Sequence, residues 1–193
     1  MGELLIRRRE LLLPSSAPSE WDYEWHFTDG LPSNDGWTKS GADTPTMTAA
    51  GMETARTYYT RELPITKGVI EAKFAIKNTR TSMSRNRALL RIGNSSKAVY
   101  VVFTRYNSNL IVLYDDSNLQ SSNPTQIGTF TWGGEYTVRL SINGAVGSVE
   151  INGVTVKDDV DTSSIYAKGA LLFGNNQQYG VSVWQYVKYK SLD

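Results

Sequence analysis

From residue 21 onward, apolar and polar side chains alternate with a period of two, and this pattern constrains the fold more than any other feature of the chain. In residues 69–77, positions 70, 72, 74 and 76 are apolar, and Glu71, Lys73 and Lys77 lie among them. Residues 135–142 repeat the pattern. Successive side chains of a strand point to opposite faces of a sheet, so this alternation indicates strands with one buried face. It predicts antiparallel sheets.

Turn signals separate the alternating segments. Asn143-Gly144 and Asn152-Gly153 each favour a two-residue type I′ hairpin, whose central residues need positive φ. Further strands are predicted at residues 87–92, 99–103, 109–114, 127–131, 147–151, 154–156, 169–173 and 179–190. Segment 99–103 is apolar on both faces, so we expect it to be central. Roughly ten short strands without a long helical pattern predict an all-β fold, a two-sheet antiparallel sandwich or a barrel.

Composition narrows the possible functions. The chain has 193 residues, with 20 Lys and Arg, 19 Asp and Glu, one His and no Cys. This length suits one domain and a short arm. A net charge of +1 is unlike that of a nucleic-acid-binding domain, so no nucleic-acid partner is expected. The lack of Cys excludes a disulfide scaffold, a thiolate zinc site and a cysteine nucleophile, and the single His26 excludes a multi-histidine metal site.

Residues 1–19 are predicted to be an N-terminal arm and linker, ahead of a domain spanning residues 20–193. The longest apolar run in the arm is three leucines, so neither a secretion signal nor a membrane partner is expected. A leucine stripe and three consecutive arginines favour a peptide that docks on a larger assembly, and the alternative is a frayed terminus. The predicted docking residues are Leu4, Leu5, Arg7, Arg8, Arg9 and Leu12.

Four segments of the second half carry a family pattern. They are a Tyr-x-Val-x-Leu strand at residues 136–140, a Val-x-Ile-Asn-Gly hairpin at 149–153, a strand ending in Gly174, and a final strand at 181–192. The pattern resembles the concanavalin A-like lectin/glucanase superfamily, in particular its laminin-G-like domains. The leader Leu-Ile-Arg-Arg-Arg at residues 5–9 is similar to the opening of short phage and prophage proteins. The resemblance implies a jelly roll whose first and last strands are neighbours in one sheet.

One motif raises the question of catalysis. Glu20, Asp22 and Glu24 have the E-x-D-x-E spacing that resembles the catalytic strand of family 16 glycoside hydrolases. Residues spaced by two share one face of a strand, as the carboxylates of a retaining glycosidase must. The alternative is a first strand with solvated acids, and the position of the motif at the start of the domain favours it. No Gly-x-Ser-x-Gly elbow accompanies His26. We therefore expect no catalytic residues.

Acidic turns are the candidates for a metal site. Asp158, Asp159 and Asp161 form one cluster, and Asp115-Asp116 form a second. Laminin-G-like domains often bind calcium, but the Asp-x-Asp-x-Asp-Gly loop of a calcium site is absent. Solvated carboxylates are the expected reading, so no cofactor is predicted, and Ca²⁺ is kept as the alternative.

Aromatic residues are the candidates for a sugar site. The chain has 11 Tyr and 5 Trp, and solvent-facing aromatic rings stack against the apolar faces of sugars. Strict alternation along the last strand places Trp184 and Tyr186 on a solvent-facing side, and one of Tyr58 and Tyr59 must also face outward. Core packing is the alternative for all of them. The first group of candidate carbohydrate-binding residues lies on strand faces and comprises Trp184, Tyr186, Tyr58 and Arg87, with Arg91, Arg105 and Tyr106 beside them. The second group comprises the rim aromatics Trp132, Trp37 and Tyr179.

These observations lead to three hypotheses. The first is a non-catalytic, lectin-like module that binds polysaccharide or a cell-surface glycan and serves phage adhesion or particle decoration. The second is a structural virion component that docks on other virion proteins through its arm and has no glycan ligand. The third is a glycoside hydrolase that uses the 20–24 motif. The expected location is a phage particle or another extracellular surface, and a homo-oligomer is expected. Lectins and glucanases share one sandwich, so the fold does not decide among the hypotheses.

Overall fold

The structure is a computed structural model, and it describes residues 20–27, 36–63, 67–77, 88–93, 98–105, 108–114, 124–163, 169–175 and 181–192. The predicted docking arm, with Leu4, Leu5, Arg7 to Arg9 and Leu12, lies outside these residues. The candidate site residues Tyr179 and Arg87 also lie outside them.

Within the described residues the secondary structure consists of fifteen strands. They are β1 (Tyr23–His26), β2 (Thr38–Gly41), β3 (Thr46–Thr48), β4 (Gly51–Thr54), β5 (Thr57–Leu63), β6 (Lys67–Lys77), β7 (Ala88–Gly93), β8 (Ala98–Arg105), β9 (Asn109–Tyr114), β10 (Thr125–Thr129), β11 (Glu135–Asn143), β12 (Val146–Ile151), β13 (Val154–Asp161), β14 (Gly169–Asn175) and β15 (Val181–Ser191). In this part of the chain no helix has the length and hydrophobicity needed to cross a membrane.

The strands form two antiparallel sheets that pack face to face. The eight-stranded sheet has the order β13-β12-β11-β6-β15-β4-β3, and β1 also pairs with β15. The seven-stranded sheet has the order β10-β9-β8-β7-β14-β5-β2. The first and last strands are neighbours, with Tyr23 opposite Tyr189 and His26 opposite Tyr186. The predicted all-β sandwich of the jelly-roll type is confirmed.

Both predicted Asn-Gly hairpins are present, and one of them turns a residue later than expected. In the β12–β13 hairpin, Asn152 and Gly153 form the loop with φ of 52° and 77°, as a type I′ turn requires. In the β11–β12 hairpin, Asn143 still pairs with Val146. That turn therefore begins at Gly144, whose φ is 64°.

The core between the sheets follows the predicted alternation. On β6, the side chains of Ile70, Ala72, Phe74 and Ile76 are buried in the core, and every second residue of β11 is buried with them. Seven of the eight residues of β8 are buried, and this strand lies between β7 and β9. The prediction that segment 99–103 is central is confirmed.

A β-bulge interrupts the last strand and changes which side chains face the core. Trp184 pairs with Phe74 of β6, whereas Tyr186 pairs with the adjacent residue Lys73, so Gln185 is the extra residue. A bulge shifts the two-residue period by one. Trp184 is therefore on the core side and is 0% exposed, while Tyr186 is on the outer side. The prediction that both face solvent is wrong for Trp184.

Candidate functional site

The outer face of the eight-stranded sheet carries a row of charges of alternating sign. Glu24, Lys188, Glu71, Arg139 and Glu150 stand side by side on β1, β15, β6, β11 and β12. Lys188 Nζ lies 3.1 Å from Glu24 Oε1, and Arg139 Nη1 lies 3.9 Å from Glu150 Oε2. We call these residues the charged row. Its charges compensate one another, so the face has the polar character expected of a sheet in contact with water.

Tyr186 is the last-strand candidate that remains on this outer face. It is half-buried, and its hydroxyl donates a hydrogen bond to Glu71 Oε1 at 2.8 Å. Burial, reinforced by the Glu71 carboxylate, raises the pKa of Tyr186 to about 12. Lys188 Nζ lies 4.4 Å from the ring centroid. One face of the Tyr186 ring is thus already in contact with a cation.

The E-x-D-x-E carboxylates lie where β1 meets the last strand. Glu24 belongs to the charged row, and its Oε1 also lies 2.7 Å from Nε2 of His26. Asp22 Oδ2 accepts a hydrogen bond from the backbone N–H of Ser191 at 2.5 Å. Glu20 is exposed and precedes β1. These contacts hold the short strand β1 against β15.

The outer face of the seven-stranded sheet has a different character. Tyr114 of β9, Tyr100 of β8, Arg91 of β7, Leu172 of β14 and Thr60 of β5 stand side by side across the sheet. The guanidinium carbon of Arg91 lies 5.2 Å from the centroid of the Tyr100 ring. Tyr100 is buried, and the other four are partly exposed. The row therefore combines aromatic surface with one cation.

The neighbouring row on this face is apolar. Val112, Val102, Leu89, Gly174 and Tyr58 stand side by side on β9, β8, β7, β14 and β5. Three of them join a buried cluster separate from the main core, whose members are Leu89, Ala98, Tyr100, Val102 and Val112. Tyr58 is partly exposed. Leu89, Val102 and Val112 are buried, so within this row the ring of Tyr58 is the apolar surface that reaches solvent.

We call the partly exposed members of these two rows the tyrosine face. They are Tyr58, Arg91, Tyr114 and Leu172. Neither row contains a carboxylate, which distinguishes this surface from the charged row on the opposite sheet. Tyr58 was predicted to be a candidate and Arg91 was placed beside it, whereas Tyr114 and Leu172 were not recognised. Only the pairing of five strands places these residues on one face of the sheet.

Tyr59, the neighbour of candidate Tyr58, and the predicted rim residue Trp37 lie inside the sandwich. Tyr59 is buried in the core, which confirms that Tyr58 is the outward member of the pair, and burial raises the pKa of the Tyr59 hydroxyl. Trp37 was expected at the rim, but it is only 5% exposed, and its Nε1 donates to the Tyr23 hydroxyl at 2.8 Å. The rim prediction for Trp37 is wrong. Trp37 directly precedes the edge strand β2 and fills space beside Phe173, with ring centroids 5.1 Å apart.

Trp132 occupies the turn between β10 and β11 and is partly exposed. The guanidinium carbon of Arg105 lies 5.9 Å from its ring centroid. The ring of Phe130 stands almost perpendicular to it, with centroids 5.2 Å apart. The rim candidate Trp132 is therefore a neighbour of Arg105, which the sequence analysis had grouped with the strand-face candidates. This rim pair is smaller than the tyrosine face.

The acidic cluster on β13 has internal partners. Lys157 pairs with Asp159 and lowers the pKa of that carboxyl through a hydrogen bond. Asp161 Oδ1 accepts hydrogen bonds from the N–H of Ser163 at 2.9 Å and from its hydroxyl at 2.6 Å. Among the described residues, no group of three or more His, Asp or Glu side chains is arranged to hold a metal ion. The prediction of no cofactor, with Ca²⁺ as the alternative, stays a prediction.

Comparison with solved structures identifies proteins of the same fold. The carbohydrate-binding module CBM66 from Bacillus subtilis is 16% identical, with a TM-score of 0.56, over 81% of this chain and 96% of that one. The carbohydrate recognition domain of Emp46p is 11% identical, with a TM-score of 0.64, over 88% of this chain and 98% of that one. Crh5 transglycosylase, solved in complex with NAG, is 11% identical, with a TM-score of 0.67, over 89% of this chain and 84% of that one.

At these identities the likeness establishes a shared β-sandwich fold. Two of the three proteins are carbohydrate-binding or carbohydrate recognition domains, and the third is an enzyme. The architecture implied by the concanavalin A-like resemblance is thus confirmed, and the phage-encoded type stays a prediction. No protein-family model matches the chain. Sequence comparison with functionally described proteins finds no match either. Because one fold hosts binding and catalysis, function must be argued from the residues.

Proposed function

We propose that this protein is a non-catalytic carbohydrate-binding module whose glycan lies on the tyrosine face. The observation that carries the proposal is that Tyr114, Arg91 and Tyr58 lie on one outer sheet face, in two adjacent rows that contain no carboxylate. Sugars present apolar C–H faces and polar edges, and a site for them needs aromatic rings together with a few placed polar groups. The tyrosine face has both.

The geometry assigns a different task to each residue. Tyr114 and Tyr58 are partly exposed, so each offers ring surface against which a pyranose ring stacks. Arg91 supplies N–H donors for sugar hydroxyls, and the Tyr100 ring at 5.2 Å holds its guanidinium by a cation–π contact. The buried side chains of Leu89, Val102 and Val112 exclude water around this group. Stacking and hydrogen bonds are stronger where water is excluded.

Binding without catalysis is favoured by the arrangement of the carboxylates. A retaining glycosidase needs two carboxyl groups about 5–5.5 Å apart that flank the scissile bond. The two rows of the tyrosine face contain no carboxylate. In the E-x-D-x-E motif, Glu24 contacts His26 and Lys188, and Asp22 accepts from a backbone N–H. The solved carbohydrate-binding module and carbohydrate recognition domain use the same fold, which adds support.

A glycan array on the full chain, with and without Ca²⁺, tests the proposal, followed by titration calorimetry on the best ligand. Tyr114→Ala and Tyr58→Ala should each weaken binding by about tenfold, which corresponds to the roughly 1.4 kcal/mol of one stacking contact. Tyr186→Ala, on the opposite sheet, is the matched control and should bind like the wild type. Circular dichroism must show all three variants folded. A blank array, or equal affinity in all variants, would refute the tyrosine face as a glycan site.

The narrower setting that we propose is a phage particle, where the module serves adhesion or decoration and the arm at residues 1–19 docks on other virion proteins. Support comes from the leucine and arginine pattern of the arm. Deleting residues 2–13 should abolish incorporation into particles and leave glycan affinity unchanged. Incorporation of the truncated chain would exclude arm docking. A blank array with arm-dependent incorporation would favour a purely structural role.

A further inference from the structure

Arg61 places a guanidinium in the space between the two sheets. Its position on β5 has the same orientation as the core residues Tyr59 and Leu63, and in the register it stands opposite the fully buried Leu171 of β14. Its guanidinium carbon lies 4.2 Å from the centroid of the Tyr23 ring. Tyr23 belongs to β1 of the other sheet. The side chain therefore bridges the sandwich near β1 and β5.

The Tyr23 ring is held firmly in this position. Its hydroxyl accepts the Nε1–H of Trp37 at 2.8 Å. Its ring lies 6.4 Å from that of Trp25 and 6.3 Å from that of Trp37. The guanidinium of Arg61 thus packs against a fixed aromatic ring, and this contact restricts the orientation of the guanidinium plane.

Arg61 lacks the counter-charge that other arginines of this protein have. Arg56 donates from Nη2 to Asp43 at 2.6 Å, and Arg139 pairs with Glu150. In the described part of the chain, no carboxylate pairs with Arg61, and its Nη1 is enclosed without a hydrogen-bond partner. The residue as a whole is partly exposed, so other atoms of Arg61 reach solvent although Nη1 does not. An enclosed donor without an acceptor is rare in folded proteins.

We propose that Arg61 binds the carboxylate of a ligand, with the Tyr23 ring supporting the other side of the guanidinium. A carboxylate is the acceptor that matches the planar fork of arginine and supplies the missing charge. Acidic sugars and simple organic acids both carry it. The site lies between the sheets and is separate from the tyrosine face, so it stands independently of glycan binding there.

The test follows the Arg61 Nε–Hε signal by ¹⁵N NMR on the full chain while acetate, glucuronate, glucose or chloride is added at constant ionic strength. Acetate and glucuronate should shift the signal saturably, and glucose and chloride should not. Thermal unfolding with the same probes should follow, since a ligand that binds the folded state raises Tm. Arg61→Gln should lose at least about tenfold in carboxylate affinity by this second readout. Arg139→Gln, which removes an arginine that already has a partner, is the matched control.

Each outcome bears on the proposal. Tighter binding of glucuronate than of acetate identifies an acidic sugar as the ligand, equal affinities identify a simple carboxylate, and both results support the site. A saturable shift with chloride as well as acetate means an adventitious ion only and overturns it, as does unchanged affinity in Arg61→Gln. If Arg61→Gln does not fold, Arg61→Lys keeps the charge without the planar fork and should still weaken carboxylate binding.

Discussion

Replacing Trp184 by alanine tests the bulge, because the bulge alone brings this side chain to the core side of the last strand. Trp184 is 0% exposed, its ring lies 4.4 Å from that of Phe74 and 4.9 Å from that of Phe173, and its Nε1 donates to Thr54 Oγ1 at 3.0 Å. Truncating a buried tryptophan costs about 3–5 kcal/mol, from lost apolar burial and the cavity left behind. Domains are stable by roughly 5–15 kcal/mol, so the loss is a large share of the total.

The assay is urea unfolding followed by far-UV circular dichroism, with thermal unfolding as a second measurement. For a domain of this size each kcal/mol shifts Tm by roughly 2–4 °C, so Trp184→Ala should lower Tm by about 6–20 °C. Tyr186→Phe, across the bulge on the outer face, removes one hydroxyl and should cost about 0.5–1.5 kcal/mol. A loss below about 1 kcal/mol for Trp184→Ala would refute the reasoning, since an exposed aromatic residue costs that little to truncate.

Three further predictions concern other parts of the fold. Gly51→Ala should cost about 1–3 kcal/mol in urea unfolding, because φ is 128° and a Cβ would lie 2.2 Å from the Trp184 carbonyl oxygen. Gly128→Ala is the control, because a Cβ there meets only the Ile111 side chain, with 3.4 Å to its Cδ1, and equal losses would contradict the close approach at Gly51. The pKa of Tyr186 is raised from 10.0 to about 12. The protonated hydroxyl therefore stabilises the fold fully below pH 10, and this stabilisation is lost as pH rises through 12. Between pH 10 and 12 the urea midpoint of unfolding should fall more for the wild type than for Tyr186→Phe. The same fall in both proteins would argue against a raised pKa for the Tyr186 hydroxyl. Arg56 lowers the pKa of Asp43 mainly through a side-chain hydrogen bond. The Asp43–Arg56 pair therefore stabilises the fold above about pH 4, and this stabilisation is lost as pH falls below that value. In Asp43→Asn, Tm should fall less steeply below about pH 4 than in the wild type, and the same fall in both proteins would show that the pair is dispensable.

Much of the fold followed from the sequence because alternation is a local property. The buried faces of β6 and β11, the double burial of β8 and the two Asn-Gly hairpins were predicted from residues within a few positions of one another. Hydrophobic burial selects which face of a strand turns inward, and turn chemistry selects where it reverses.

Only part of the candidate site could be predicted from the sequence. The sequence indicated that one of two adjacent tyrosines faces outward, and Tyr58 does. It did not place Tyr58 on the same sheet face as Tyr114, because those residues lie on β5 and β9 and three other strands lie between them. The outer apolar cluster had a signal in β8, which is apolar on both faces, but its neighbours were not predictable from that strand alone.

The sequence by itself determined that this chain is all-β, because periodicity and turn signals agree, and the family resemblance implied a sandwich with its first and last strands adjacent. The tertiary structure alone decided which aromatics are available to a ligand. One extra residue at Gln185 sends Trp184 into the core, and the position of Trp37 beside the edge strand does the same for that ring. A bulge is defined by the strand across from it, and burial by the opposite sheet, so neither is determined by the residues of one segment.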